Sequence, residues 1–147
     1  MIAVDTNILV YAHRLDSPFN ERARECVRQL AEGSAGWAIP WPCVHEFLSI
    51  TTHPKIYKPP TPLEVALEQV ECWMESPSLL MLGETGRYWD ELKDIVTKGK
   101  ITGPMIHDAR VASICRYHGV RTLWSADRDF SSFPKLTVRN PLMKAGK

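Results

Sequence analysis

The sequence predicts a three-layer α/β/α sandwich built on a mainly parallel sheet, and three observations carry that expectation. Short apolar runs recur along the chain: Ile2-Ala3-Val4, Trp37-Ala38-Ile39-Pro40, Leu79-Leu80-Met81-Leu82, Val120 to Trp124, and Leu136-Thr137-Val138. Between them lie stretches with helical apolar spacing, roughly 12 to 16 residues long, which suits crossover helices between parallel strands. Finally, 147 residues, 44% of them apolar, fit one domain with a real hydrophobic core, and neither a repeat nor a second domain is evident.

Each element has a local reason. Met1 to Val4 reads as a buried strand ending on Asp5, and Ile8 to Ala12 opens a helix leading away from it. Ser17 as cap and Pro18 at the first helical position predict a second helix from about Pro18 to Glu32, with Ala23, Cys26, Val27 and Leu30 on its apolar stripe and Gly33 and Gly36 ending it. After the strand Trp37–Pro40, Trp41-Pro42 restarts the backbone as a helix that buries Val44, Phe47, Leu48 and Ile50 and carries Glu46. Thr51-Thr52-His53-Pro54 stops it, and the proline-bounded segment Lys55 to Pro60 is expected as a rim or flap over a cleft. Thr61 as cap, Pro62 at the first position and Glu64 reaching back predict the next helix, through Trp73. Ser76-Pro77 breaks it before the strand at Leu79–Leu82. A helix from about Thr85 to Lys98 follows, with Tyr88, Trp89, Leu92, Ile95 and Val96 as its stripe. Gly103-Pro104 begins another, with Met105, Ala109, Ala112 and Cys115 on one face and Asp108 almost on it. A carboxylate on an apolar face is the anomaly worth following. Gly119 closes that helix, Val120 to Trp124 is a strand, and Leu136 to Val138 is the last, before a tail from Asn140.

Composition narrows the function classes. No run approaches the ~18 apolar residues of a membrane span, and Asp5 and Asn7 interrupt the early apolar run, against a secretory signal. Cys26, Cys43, Cys72 and Cys115 show no CxxC pair or regular spacing, which reads as four free, mostly buried thiols in a cytoplasmic protein. Net charge is +1, but residues 1–85 hold 6 Lys/Arg against 11 Asp/Glu and residues 86–147 hold 12 against 6, an asymmetry suited to RNA or to an oppositely charged partner.

Asp5, Glu46, Asp108 and Asp127 share one setting, just after a strand end or in the early turns of a helix. Right-handed crossovers bring such positions to one edge of the sheet. Four carboxylates in one cleft repel one another unless cations neutralise them. The matching resident is a hard divalent ion, Mg²⁺ or Mn²⁺, and the matching chemistry is phosphodiester hydrolysis.

These residues resemble the PIN-domain ribonucleases, and within them the VapC-like toxins of bacterial type II toxin–antitoxin pairs, the mycobacterial-type branch in particular. The matching pieces are Val4-Asp5-Thr6-Asn7, Glu46 in HEF, Asp108 in HDARVA and SADRDF from Ser125 to Phe130, and the resemblance spans residues 1–147 as a single PIN-like domain. It implies Asp5, Glu46 and Asp108 as metal ligands, with Asp127 completing the site directly or through water. Ser125 would support the site by hydrogen bonding, Asn7 would orient Asp5, and Asp129 would be supporting or substrate-facing. The implied activity is endonucleolytic cleavage of RNA, often tRNA or rRNA, by a homodimer. A cognate antitoxin would block the cleft, and DNA would be contacted only through that antitoxin.

Other readings fit less well. A haloacid-dehalogenase-type phosphatase needs an acid two residues after the first Asp, where Asn7 stands. A phosphoaspartate receiver needs an acidic pair before its central Asp, and no GxxxxGK[ST] motif supports a nucleotide triphosphatase. A non-catalytic metal- or RNA-binding domain of the same fold is the remaining alternative. His45 and His107 each precede an acid, but adjacent helical residues point apart. His107 is therefore a candidate for substrate contact, while His45, His53 and His118 are expected to be structural or exposed. Cys43 and Cys115 have no charged partner implied and are not expected to be nucleophiles. Of five tryptophans, mostly at core spacing, Trp41 near the expected cleft is the candidate for stacking on a base. Arg110, Arg116 and Arg128 are candidates for phosphate contacts.

Overall fold

The structure, a computed structural model, describes residues 1–127 and 133–143. Strands β1 (Ile2–Val4), β2 (Trp37–Pro40), β3 (Leu79–Leu82), β4 (Thr122–Trp124) and β5 (Thr137–Arg139) form one parallel sheet in the order β3-β2-β1-β4-β5. The helices are α1 (Thr6–His13), α2 (Asn20–Glu32), α3 (Trp41–Thr51), α4 (Leu63–Met74), α5 (Tyr88–Gly99) and α6 (Met105–Tyr117). From β1 the chain steps outward through β2 to β3, then crosses back to β4 on the other side of β1. With right-handed crossovers this reversal puts α1–α4 in one outer layer and α5–α6 in the other. Accordingly α1 packs on α2 and α3, α3 on α4, and α5 on α6. The reversal leaves a crevice beyond the carboxyl ends of β1 and β4, the place where open α/β sheets bind ligands.

The core lies on both faces of the central strands. All four residues of β2 are buried, as expected of a parallel strand covered on both sides. Trp37, Ile39 and Leu123 from the sheet, and Ile8, Leu9, Phe47, Ile95 and Ile114 from the helices, are almost fully enclosed. Phe47 meets the rings of Trp73 and His13 edge-on, with centroids 5.0 and 5.4 Å away. The buried indole N–H of Trp37 donates to Ser76 Oγ at 3.1 Å, and that hydroxyl donates to the Ala31 carbonyl at 2.8 Å, tying β2 to the end of α2. At the α5–α6 hairpin Arg116, 9% exposed in its side chain, lies 3.2 Å from Glu91 and 3.4 Å from Asp94. Gly86 is required there. Its φ of +56° suits glycine, and a Cβ would sit 2.0 Å from the Tyr117 hydroxyl.

The element order matches the sequence expectation, while several local readings are corrected. Helix α2 begins at Asn20 rather than Pro18. Ser17 Oγ accepts from the Phe19 N–H at 3.1 Å and closes a turn, while Asn20 Nδ2 donates to the Tyr11 and Ala12 carbonyls at 2.8 and 3.2 Å, satisfying the end of α1. Thr61 does not cap α4, because its hydroxyl is engaged by His13 Nε2 and Arg14 at 3.2 Å each. The 55–60 segment is not a flap. Arg14 donates to the Pro59 carbonyl at 3.0 Å and lies 4.1 Å from the centre of the Tyr57 ring, so the loop is held at the far end of α1 from Asp5. Trp89 is 64% exposed and not a core residue. Among the described residues no helix is long and apolar enough to cross a membrane.

Candidate active site

At the carboxyl end of β1 the chain must turn from strand to helix, and Asp5 makes that turn. Its backbone is extended, with ψ 163°, and its Oδ1 accepts from the Thr6 N–H at 2.8 Å, which makes it the N-cap of α1. Its own N–H donates to the Trp124 carbonyl at 2.9 Å, continuing the ladder with β4. The next residue on β4's side, Ser125, is 2% exposed and donates to Asp5 Oδ2 at 2.7 Å. Two residues 120 apart in sequence thus meet because β1 and β4 are neighbours.

Ser125 is fully used. Its hydroxyl accepts from Asn7 Nδ2 at 3.3 Å and from the Asp127 N–H at 2.9 Å while donating to Asp5. Asn7 Oδ1 in turn accepts the Ala126 N–H at 3.0 Å. The turn after β4 is therefore clamped to the first turn of α1, and the clamp sets where Asp127 stands. A third donor reaches Asp5 from α3, the Cys43 thiol, 3.5 Å from Oδ1.

Asp5, Thr6 and Asn7 line a cleft of about 340 Å³, which also takes in Pro42, His45, Glu46 and Ser49 of α3, His107, Asp108, Arg110 and Val111 of α6, and Asp127. All four sequence-predicted acids, Asp5, Glu46, Asp108 and Asp127, line it. Asp5 is buried, Asp108 and Asp127 are half-buried, and Glu46 is exposed. Among the described residues, no three His, Cys, Asp or Glu side chains close on one point as a finished metal cage would. Asp129 and Arg128, both singled out in the sequence, lie outside the described residues.

The electrostatics follow from burial. Loss of water raises the Asp5 carboxyl above its ordinary 3.8; donation from Ser125, Thr6 and Cys43 opposes that rise, and the nearby charge of Glu46 adds to it. Burial pushes the Cys43 thiol well up, reinforced by the charge of Asp5, so Cys43 stays a protonated donor. Cys115, also close enough to feel Asp5, is pushed up to about 12. The acidic groups facing the cleft are thus carboxylates rather than thiolates, oxygen donors that fit a hard divalent cation, beside the imidazoles of His45 and His107.

Two arginine expectations separate here. Arg110 lines the cleft, where its Nε contacts Glu84 at 2.5 Å on the rim. Arg116 is buried against Glu91 and Asp94 and is unavailable to phosphate. His45 and His107 are both exposed and line the cleft. The contact of Cys43 with Asp5 corrects the expectation that this thiol lacks a charged partner. The available clue is its position three residues before Glu46, one turn earlier on the same helical face.

A parallel sheet with a switch point beside β1 and four acids at that crevice define an α/β fold carrying an acidic cleft. The PIN domain family model matches residues 2–136, and the chain belongs to that family. It is 31% identical over 137 residues to ribonuclease VapC48 of Mycobacterium tuberculosis, covering 93% of this chain and 94% of that protein. To ribonuclease VapC43 of the same organism it is 29% identical over 142 residues, covering 97% and 96%. Among solved structures, VapBC2 from Rickettsia felis, bound to a promoter DNA fragment, superposes with a TM-score of 0.70 at 19% identity, covering 95% of this chain and 98% of that one. Mycobacterium tuberculosis VapC20, described as a sarcin–ricin-loop cleaving toxin, gives 0.66 at 14% identity, covering 92% and 98%.

Proposed function

We propose that this chain is a metal-dependent endoribonuclease and the toxin of a toxin–antitoxin pair. The observation that carries this reading is the convergence of Asp5, Glu46, Asp108 and Asp127 on one cleft at the switch point. Asp5, Glu46 and Asp108 would hold Mg²⁺ or Mn²⁺, with Asp127 as the fourth acid, directly or through water. Such a cation, when bound, supplies charge stabilisation to the attacking and leaving oxygens of an in-line displacement at phosphorus.

The protein's own part is positioning. Ser125 and the Thr6 N–H fix both oxygens of Asp5, so its carboxylate does not reorganise when substrate arrives. Asn7 holds the 125–127 turn and with it Asp127. That use of Asn7 also counts against a haloacid-dehalogenase-type phosphatase, which needs a proton-transferring acid at this place.

RNA as substrate is supported by the relatives, which are named ribonucleases. An antitoxin partner is supported by the DNA-bound VapBC2 complex that shares the fold, and contact with DNA only through that partner belongs to the same reading. Homodimerisation belongs to the same reading. The test is incubation of purified, antitoxin-free protein with total RNA and Mg²⁺ or Mn²⁺. Discrete cuts should appear, and should vanish in EDTA and in Asp5→Ala and Asp108→Ala. Intact RNA with the native protein would overturn the enzymatic reading.

A further inference from the structure

We propose that Trp41 and His45 form a platform that receives an unpaired nucleobase of the strand entering the acidic cleft. The proposal rests on the ribonuclease reading above and adds a binding subsite to it. Trp41 is 39% exposed at the start of α3, although a tryptophan of a folded domain is usually well covered. His45 stands four residues later on the same helical face, and its ring stacks with the indole at a centroid distance of 6.4 Å and an interplanar angle of 29°. His45 also lines the cleft, one residue from Glu46. The pair therefore makes a row running from the cleft wall outward.

The row is held in place. Trp41 lies between Pro40 and Pro42, and Pro40 keeps φ near −67° as β2 passes directly into α3. Beyond the neighbouring strand end, Gly83 brings no side chain to the indole; a Cβ there would lie in ordinary contact, 3.4 Å from Trp41 Cδ1. The proline-bounded backbone and the stacking on His45 leave the exposed ring little freedom to lose on binding.

Charge explains why such a surface is needed here. A cleft floored by four acids repels the phosphates of an approaching strand, and Arg110 on its rim is paired with Glu84. Stacking on an aromatic face attracts a base without relying on charge and tolerates any base.

The experiment measures binding of labelled single-stranded octamers, oligo(A) and oligo(U), to the Asp108→Ala protein by fluorescence anisotropy. Trp41→Ala in that background should weaken binding by about tenfold, while Trp41→Phe should retain most of it. His45→Ala should give a smaller loss. In the cleavage-competent protein, Trp41→Ala should raise KM more than it lowers kcat. An abasic nucleotide scanned along a cleaved oligonucleotide should remove the Trp41→Ala effect at one position beside the cut. Equal octamer binding with Trp41 intact, Trp41→Ala and Trp41→Phe in the Asp108→Ala background would overturn the platform, and cuts by native protein that still depend on Asp108 would leave the ribonuclease reading intact. Octamer binding that depends on Trp41 without any cutting by native protein would sink the ribonuclease reading and keep the platform. Loss of antitoxin inhibition in Trp41→Ala, with RNA binding and cutting unchanged, would assign this surface to a protein instead.

Discussion

The two walls of the cleft are built differently. On the sheet side, Asp5, Asn7 and Ser125 are joined by hydrogen bonds at the ends of β1 and β4, and Asp5 and Ser125 are 6% and 2% exposed. On the helix side, Glu46, His45 and His107 face solvent from α3 and α6. One wall fixes geometry before any ligand arrives, and the other presents side chains that settle around what enters. The fold has invested stability in the first wall and little in the second.

The largest effect should come from removing charge at the fixed wall. Asp5→Asn should abolish RNA cutting, and in chelator its thermal stability relative to native protein should rise from pH 4 to pH 7. Burial keeps the folded-state carboxyl above its ordinary 3.8, so the folded chain holds this proton more tightly than the unfolded chain does. The corresponding stability is fully present below that ordinary value and is lost as pH rises through the raised one. The asparagine variant escapes the loss. Its melting point relative to native protein should therefore fall toward pH 4, and a difference that does not change between pH 4 and pH 7 would refute the account.

Next in size is Ser125→Ala, which should cost about 10- to 100-fold in cutting, the range for a group that orients a ligand, and about 1–3 kcal/mol in stability through stranded partners. Urea melts and single-turnover cleavage measure the two parts. A smaller effect is the stabilisation by Mg²⁺. Ten millimolar MgCl₂ should raise the melting point of native protein and leave that of Asp5→Asn or Asp108→Asn nearly unchanged. Smallest is the stability change in Glu46→Gln, within about 0.5 kcal/mol because the side chain is exposed, although its cutting falls. A large destabilisation there would erase the contrast between the walls.

How far the sequence revealed this follows the same division. Strand β1 and the acids at positions 5, 46, 108 and 127 are legible because short apolar runs end on them or capped helices carry them. The sheet order has no signature in the sequence, and the hydrogen bonding of Ser125 to the site is implied there by the family resemblance alone. Contacts set by packing rather than by local pattern were not legible. Thr61 has the local signature of a cap, yet His13 and Arg14 take its hydroxyl. Trp89 keeps core spacing on a helix whose outer turn nothing covers among the described residues, so it stays exposed. Arg116 reads as a surface cation until the α5–α6 hairpin folds over it.

The position of β1 between β2 and β4 also governs when a newly made chain becomes competent. Residues 2–4 are made well before their second neighbour, residues 122–124, which follows some 120 residues later, roughly 6–24 s at ~5–20 residues per second. Until then β1 has an open edge, Asp5 lacks its serine, and the turn bearing Asp127 does not exist. Through that interval the nascent protein therefore has no assembled cleft, and a chain ending before β4 would carry three of the four acids without the serine that holds the second oxygen of Asp5.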